Sequence, residues 1–413
     1  RAHVQAALPS HMVPSAFVLM DALPLNANGK VDRRALPRPS DATDAEEAGV
    51  MPRTPLEQRI ADLWAEVLGR TAISVTASFF DLGGHSLLAA QLVSKLSEHF
   101  PFKVPLQVLF QSPTVAALAQ WIQAKLTPEA PVAAQGPTLP EGIVRLQQGR
   151  TDLPPLWCMH PVGGTVFCYQ DLVRALGTDR TVYGFQAPGV NGECPPLGSI
   201  ELLASHHLSA MLQWQPRGPH HLVGLSMGGT IVYEMAQRLL TLGIPPALLV
   251  FLDTPGPGQM PTRFEDDAAL LAAMFGGDTP TLAQRLRSLP PHEQMKEVLR
   301  QAREGATVPD SYSLRDLEIF LDVWKAHMRA LFSYEPVPYE GPATYLKAQV
   351  HVPPHPLHPE QPWQELVRHG LEVLPVPGNH QTMIEPPHVE TLARHLTACL
   401  RRVEDAAPRS SVA

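Results

Sequence analysis

Between residue 54 and residue 126 the apolar positions recur at helical spacing. Leu56, Ile60, Leu63, Trp64, Val67 and Leu68 fall on one face of a 3.6-residue repeat. That run opens at Thr54-Pro-Leu-Glu57, where Glu three residues after Thr makes a capping box and Pro55 takes the first helical position. Leu88, Leu92, Val93 and Leu96 mark a second helix, and Val115, Leu118, Ala119, Ile122 and Leu126 a third that starts near Pro113. Three or four short amphipathic helices make a small bundle with no room for a catalytic pocket. From Leu156 the pattern changes to short apolar runs. Leu156–Met159, Thr181–Phe185, Leu222–Leu225, Ala247–Leu252, Ala343–Ala348 and Leu371–Val376 read as strands, with helical segments such as Val166–Leu176, Ile200–Gln215 and Gly228–Leu242 between several of them. Such alternation predicts an α/β fold built on a mainly parallel sheet with helices on both faces.

Proline placement divides these blocks. Residues 37–53 (PRPSDATDAEEAGVMPR) and 127–142 (TPEAPVAAQGPTLPEG) carry no helical or strand period and read as linkers, the second stiffened by proline. At 413 residues the chain suits two or three domains, and 44% hydrophobic residues supply a sizeable core. The net charge of −8 argues against nucleic acid as the main partner. No apolar run reaches the roughly 18 residues of a membrane span, and the start, RAHVQAALPS, lacks a signal-peptide pattern. It also lacks an initiator Met, so a piece of a longer chain is expected. Cys158, Cys168, Cys194 and Cys399 make no disulfide framework in a chain of this length, which points to free thiols and a cytoplasmic setting.

Two serines stand in unusual company. Ser86 follows Asp81-Leu-Gly-Gly-His85 at the mouth of the second helix. A serine there is ordinarily an N-cap. Gly83 and Gly84 shift the reading, because they leave the backbone uncovered and the hydroxyl approachable. His85, the only base close in sequence, is poorly placed to take the proton, so Ser86 reads as an acceptor of modification. Ser226 lies in Gly224-Leu-Ser-Met-Gly228, where a strand passes into a helix, the nucleophile-elbow context. Its hydroxyl needs a base and an orienting acid, in the chain order Ser, acid, His. Asp253 ends the apolar run LLVFL, and His380 lies in Pro377-Gly-Asn-His-Gln381 after a late strand; these two are the expected orienter and base. Met159-His-Pro-Val-Gly-Gly164 follows the first strand and nominates the backbone amides of Val162 and Met227 as oxyanion donors. His160 reads as structural, holding that loop. His351-Val-Pro-Pro-His-Pro-Leu-His358 has superficial metal spacing but no Cys or carboxylate cluster beside it, and reads as a solvated loop, so no metal site is expected.

These motifs carry a resemblance along most of the chain. Thr54 to Leu126, with Phe79-Phe-Asp-Leu-Gly-Gly-His-Ser-Leu87, closely resembles a peptidyl carrier protein of nonribosomal peptide synthetases. Leu153 to Arg402, with HPVGG, GLSMGG, FLDTP and GNH in order, resembles the type I thioesterase domains that end such synthetases. Residues 21–36 (DALPLNANGKVDRRAL) resemble the final motif of amino-acid adenylation domains, with Lys30 at the position of the lysine that contacts the acyl adenylate. Without the adenylation core, Lys30 is expected to have no working role here. The resemblance implies an α/β-hydrolase thioesterase domain with a helical lid at about 261–331, preceded by a small carrier bundle of four-helix type. It divides the chain into an adenylation remnant (1–40), a carrier (52–127), a linker (128–152) and a thioesterase (153–402). It implies 4′-phosphopantetheine on Ser86, added by a phosphopantetheinyl transferase, upstream condensation and adenylation domains as partners, and a peptidyl thioester as substrate. Ser226 would then take the peptide, and hydrolysis or macrocyclisation would release it. A stand-alone esterase or editing hydrolase would use the same three residues, and a docking module with an inert hydrolase fold is the non-enzyme alternative.

Overall fold

The computed structural model describes residues 50–406, apart from 71, 81, 83, 85, 103, 105–107, 110, 111, 127–138, 260–265, 276–278, 305–312 and 354. Residues 1–49, with Lys30 and the adenylation-like motif, lie outside the described part. The chain divides into two compact units, 1–134 and 135–413.

In the first unit three helices are described: α1 (Pro55–Leu68), α2 (Ser86–His99) and α3 (Val115–Leu126). The capping box forms at α1, where Glu57 N donates to Thr54 Oγ1 at 3.1 Å and Thr54 N to Glu57 Oε2 at 3.2 Å. Ile60, Leu63, Trp64 and Val67 of α1 are buried with Leu92 and Leu96 of α2 and Val115, Leu118 and Ile122 of α3. Leu126, expected on that face, is exposed, because the buried stripe of α3 ends one turn earlier.

The second unit is a seven-stranded sheet in the order β1-β3-β2-β4-β5-β6-β7. Its strands are β1 (Ile143–Gln147), β2 (Leu156–Met159), β3 (Val182–Phe185), β4 (His221–Leu225), β5 (Leu248–Leu252), β6 (Ala343–Ala348) and β7 (Leu371–Val376). All neighbouring pairs from β3 to β7 are parallel; β1 pairs antiparallel with β3, Ile143 opposite Phe185. The strands β2 to β5 are buried along their whole length, as nearly continuous apolar runs demand when helices cover both faces.

β1 corrects the sequence reading. Residues 143–147 fell within the expected 128–152 linker, yet they close one edge of the sheet with Ile143 and Val144 buried. IVRLQ is five residues with two apolar residues in sequence and no clear alternation; only pairing with β3 gives it its place.

Helices α4 (Gln170–Ala175), α5 (Ile200–Trp214) and α6 (Met227–Thr241) connect the first strands. The segment expected as one helix over Val166–Leu176 is a 3-10 turn at Phe167–Tyr169 followed by α4. Among the described residues between β5 and β6 lie four helices: α7 (Asp267–Phe275), α8 (Thr279–Arg287), α9 (Pro291–Glu304) and α10 (Leu314–Ser333). They occupy the span read as a lid. α11 (Gln361–Leu366) and α12 (Val389–Ala406) complete the unit. Trp157, Phe185, Met211, Leu222, Tyr233, Phe251 and Trp363 belong to one continuous core.

Candidate active site

Ser226 stands between the last residue of β4 and the first of α6, with φ 55° and ψ −127°. Asp253, one residue past β5, has φ 45°. They are the two non-glycine residues with positive φ among those described, and such strain concentrates at working sites. β4 and β5 are parallel neighbours with Leu225 opposite Leu252, and Ser226 N donates to Leu252 O at 3.0 Å. The two residues thus leave adjacent strands at the carboxyl edge of the sheet. A Cβ on Gly228 would stand 2.6 Å from Met159 O and one on Gly224 2.2 Å from the Gly228 carbonyl, so glycine is required where helix and strands cross this closely.

Asp253 is buried and its carboxylate is held from several sides. Oδ1 accepts from Ala348 N, at the end of β6, at 3.0 Å; Oδ2 accepts from His380 Nδ1 at 2.9 Å. Burial alone would push the carboxyl up, but contact with His355 and the hydrogen bond from His380 together hold it well below the usual carboxylate range. The loop carrying His380 is folded by Asn379, whose Oδ1 accepts from Gln381 N and Thr382 N at 2.9 Å each. With Nδ1–H committed to Asp253, the Nε2 of His380 is left as the basic nitrogen.

His355 is a correction. Its sequence neighbourhood read as a solvated loop, and His351 and His358 are indeed exposed. The His355 side chain, however, is only 15% exposed and turns inward, its Nε2 2.9 Å from Asp253 Oδ2. The approach is too oblique for a hydrogen bond, and Nε2 has no other partner. Its ring lies on that of His380, centroids 4.1 Å apart and planes 27° apart. Asp253, His355 and His380 offer ligand atoms within 4.8 Å of one another. A cation taking Nδ1 of His380 would displace its bond to Asp253, so we read the group as a hydrogen-bonded Asp253–His380 pair with the His355 ring stacked against it. Nothing local in HVPPHPLH marks one histidine of three.

The loop after β2 rests on buried imidazoles. His160 is fully buried; its Nδ1 lies 2.9 Å from Pro161 O, its Nε2 3.2 Å from Nε2 of His207 on α5, and its ring stacks on that of His327 on α10. His327 Nδ1 in turn donates to Val162 O at 2.7 Å. Val162 and Met227, the residues expected to supply oxyanion amides, sit on this loop and at the first position of α6. The N–H groups of a helix's first turn have no intrahelical acceptor and face its positive end. Tyr169 ties the two strands beneath: its hydroxyl donates to Met159 O at 2.6 Å and accepts from Leu225 N at 2.8 Å. Sequence reasoning missed His207, His327 and Tyr169, each of which makes at least one contact across more than 45 residues.

In the first unit Ser86 is the first residue of α2, and its side chain lies outside the described part, as do Gly83 and His85. Gly84 has a different reason than exposing a hydroxyl. It is buried, and a Cβ there would stand 2.3 Å from the Phe79 ring.

With this geometry in view, the likenesses to known proteins become specific. Residues 154–400 match the thioesterase domain family, and residues 58–122 match the phosphopantetheine attachment site family. The chain belongs to the thioesterase family. The thioesterase domain is preceded by a phosphopantetheine attachment domain, and the cofactor of that domain is phosphopantetheine. Over 98% of its length the chain is 32% identical to a dimodular nonribosomal peptide synthase of Bacillus subtilis, and over 97% it is 32% identical to enterobactin synthase component F of Escherichia coli. It spans 16% and 29% of those two relatives. A crystal structure of a four-domain nonribosomal peptide synthetase in holo form, bound to AMP and glycine, matches 96% of the chain and 30% of its own, with 31% identity and a TM-score of 0.58. No helix among the described residues of the thioesterase chain is long and apolar enough to cross a membrane.

Proposed function

We propose that this chain is a termination segment of a nonribosomal peptide synthetase, working in the cytoplasm. A phosphopantetheinyl transferase loads 4′-phosphopantetheine onto Ser86, upstream condensation and adenylation domains build a peptide on the arm, and the thioesterase domain releases it. The adenylation-like remnant takes residues 1–40 and the carrier 52–127; the thioesterase domain reaches 402 and, with β1 counted, begins before 153.

One observation carries the reading: the 2.9 Å bond from His380 Nδ1 to buried Asp253, at the sheet edge where strained Ser226 leaves the neighbouring strand. In this reading His380 Nε2 takes the Ser226 proton as Oγ attacks the thioester carbonyl. The C–O bond forms, the carbonyl oxygen becomes an oxyanion at the Val162 and Met227 amides, and the C–S bond then breaks. His380 returns the proton to the departing thiolate. Water, or a nucleophile within the peptide, next gives its proton to His380 and attacks the seryl ester, releasing acid or ring and restoring the Ser226 hydroxyl.

The test is to load an acyl group on the arm and follow intact mass. An ester should pass through Ser226, and Ser226→Ala should strand the acyl group on the carrier while Ser86 is still modified. Normal release from Ser226→Ala, or an adduct on another residue, would end this reading.

A further inference from the structure

We propose that His355 is a positioning residue for His380, a role that rests on His380 being the general base. A hydrogen bond from Nδ1 to Asp253 fixes one end of the His380 imidazole but leaves the ring free to swing about that bond. The His355 ring, 4.1 Å away and within 27° of parallel, blocks the swing on one face. The side chain of His380 is 26% exposed, so without that wall one face would open to water.

The loop is built to hold the wall in place. His355 N donates to Val352 O at 3.1 Å, and its carbonyl lies 2.5 Å from His351 Nε2. Pro353 and Pro356 stand on either side of it in the loop and restrict the backbone there. Val352 and Leu357 are exposed while His355 is not, so the loop spends its inward position on an imidazole although apolar residues were at hand. The Nε2 of His355, 2.9 Å from Asp253 Oδ2 and lacking an aligned partner, stands next to the oxygen that His380 uses. It keeps water from that oxygen's open side. His355 acts through His380 and Asp253 and takes no proton in the scheme.

The experiment uses the full chain and a small acyl thioester, with His355→Ala, His355→Phe and His355→Gln. Misplacing a catalytic group by about 1 Å costs on the order of a hundredfold, and His355→Ala is expected to lower kcat about ten- to a hundredfold with KM unchanged. His355→Phe keeps a flat ring and should recover most of the loss; His355→Gln, which keeps a donor but no ring, should not. Proton NMR supplies an independent reading: the downfield His380 Nδ1–H resonance should persist in the Phe variant and broaden by exchange in the Ala variant. Turnover of His355→Ala within twofold of wild type would overturn the proposal. So would a loss that tracks the thermal midpoint, or Gln rescuing better than Phe. Ser226→Ala and His380→Ala run alongside: hydrolysis surviving in the first removes the nucleophile and in the second the base, results distinct from a flat His355 series.

Discussion

Ser226 and Asp253 hold backbone conformations that cost on the order of 1–3 kcal/mol each, and each is held there by neighbouring strands. Ser226 N bonds Leu252 O, and Asp253 N bonds Leu346 O at 2.9 Å. Asp253→Asn keeps the size but leaves one acceptor oxygen where Asp253 has two, and with Ala348 N claiming it the amide NH2 faces His380 Nδ1–H. In the well-studied serine proteases the equivalent change costs about 10⁴ in turnover. Asp253→Asn should therefore lower kcat for thioester hydrolysis by roughly 10³–10⁴ while circular dichroism stays that of the wild type. The depressed carboxyl also sets a sign: Asp253 stays ionised through the mildly acid range, so activity lost between pH 7 and 5 belongs to another group, and the acid limb should persist in Asp253→Asn. Gly228 is a structural counterpart. A methyl 2.6 Å from Met159 O forces helix and strand apart, and Gly228→Ala should cost about 1–3 kcal/mol in urea unfolding.

At the scale of elements, the imidazoles of His160, His207 and His327 join the loop after β2 to α5 and α10. Burial pushes all three below the ordinary histidine value of 6.5, His160 to about 3. Below pH 6.5 the unfolded chain takes up protons that the folded chain refuses. Stability from this cluster is thus complete above about pH 6.5 and falls as the pH drops, His160 alone contributing about 1.4 kcal/mol per pH unit until its own value near 3 is reached. Urea midpoints at pH 7 and pH 5 should differ in that direction, and His207→Phe should flatten the dependence. Tyr169 makes the other cross-link. Tyr169→Phe leaves Met159 O and Leu225 N buried without a partner and should cost about 2 kcal/mol, read as a fall in the thermal midpoint.

At the scale of the whole chain, the two units have separate cores and their own capped helices. A fragment starting at residue 135, which keeps β1, should hydrolyse a small acyl thioester in solution within about twofold of the full chain, as expected of a self-contained domain. A fragment starting at 153, where the sequence reading placed the boundary, loses β1 and exposes the β3 edge; it should show a lower thermal midpoint and a tendency to associate. Equal midpoints for the two fragments would show that β1 contributes nothing to stability.

What the sequence determined by itself is local. The capping box of α1, the small residues around Ser226, the glycine-bearing loop of His380 and the continuous apolar strands are each decided within a few residues, because backbone geometry and burial on both faces leave marks at short range. β2 was bounded to the residue for that reason; β6 and β7, less fully buried, were bounded to the residue too, each entered from a proline or glycine. What only the tertiary structure decided depends on distant partners. β1 needs β3 to be a strand. His355 becomes part of the site because Asp253, about a hundred residues earlier, and His380, after the next strand, converge on it. Gly84 is a glycine because Phe79 packs against it, and His327 reaches Val162 from within the lid insertion. A side chain's chemistry is written in the chain, but whether it faces water or another side chain is set by how strands far apart in sequence lie next to each other in the sheet.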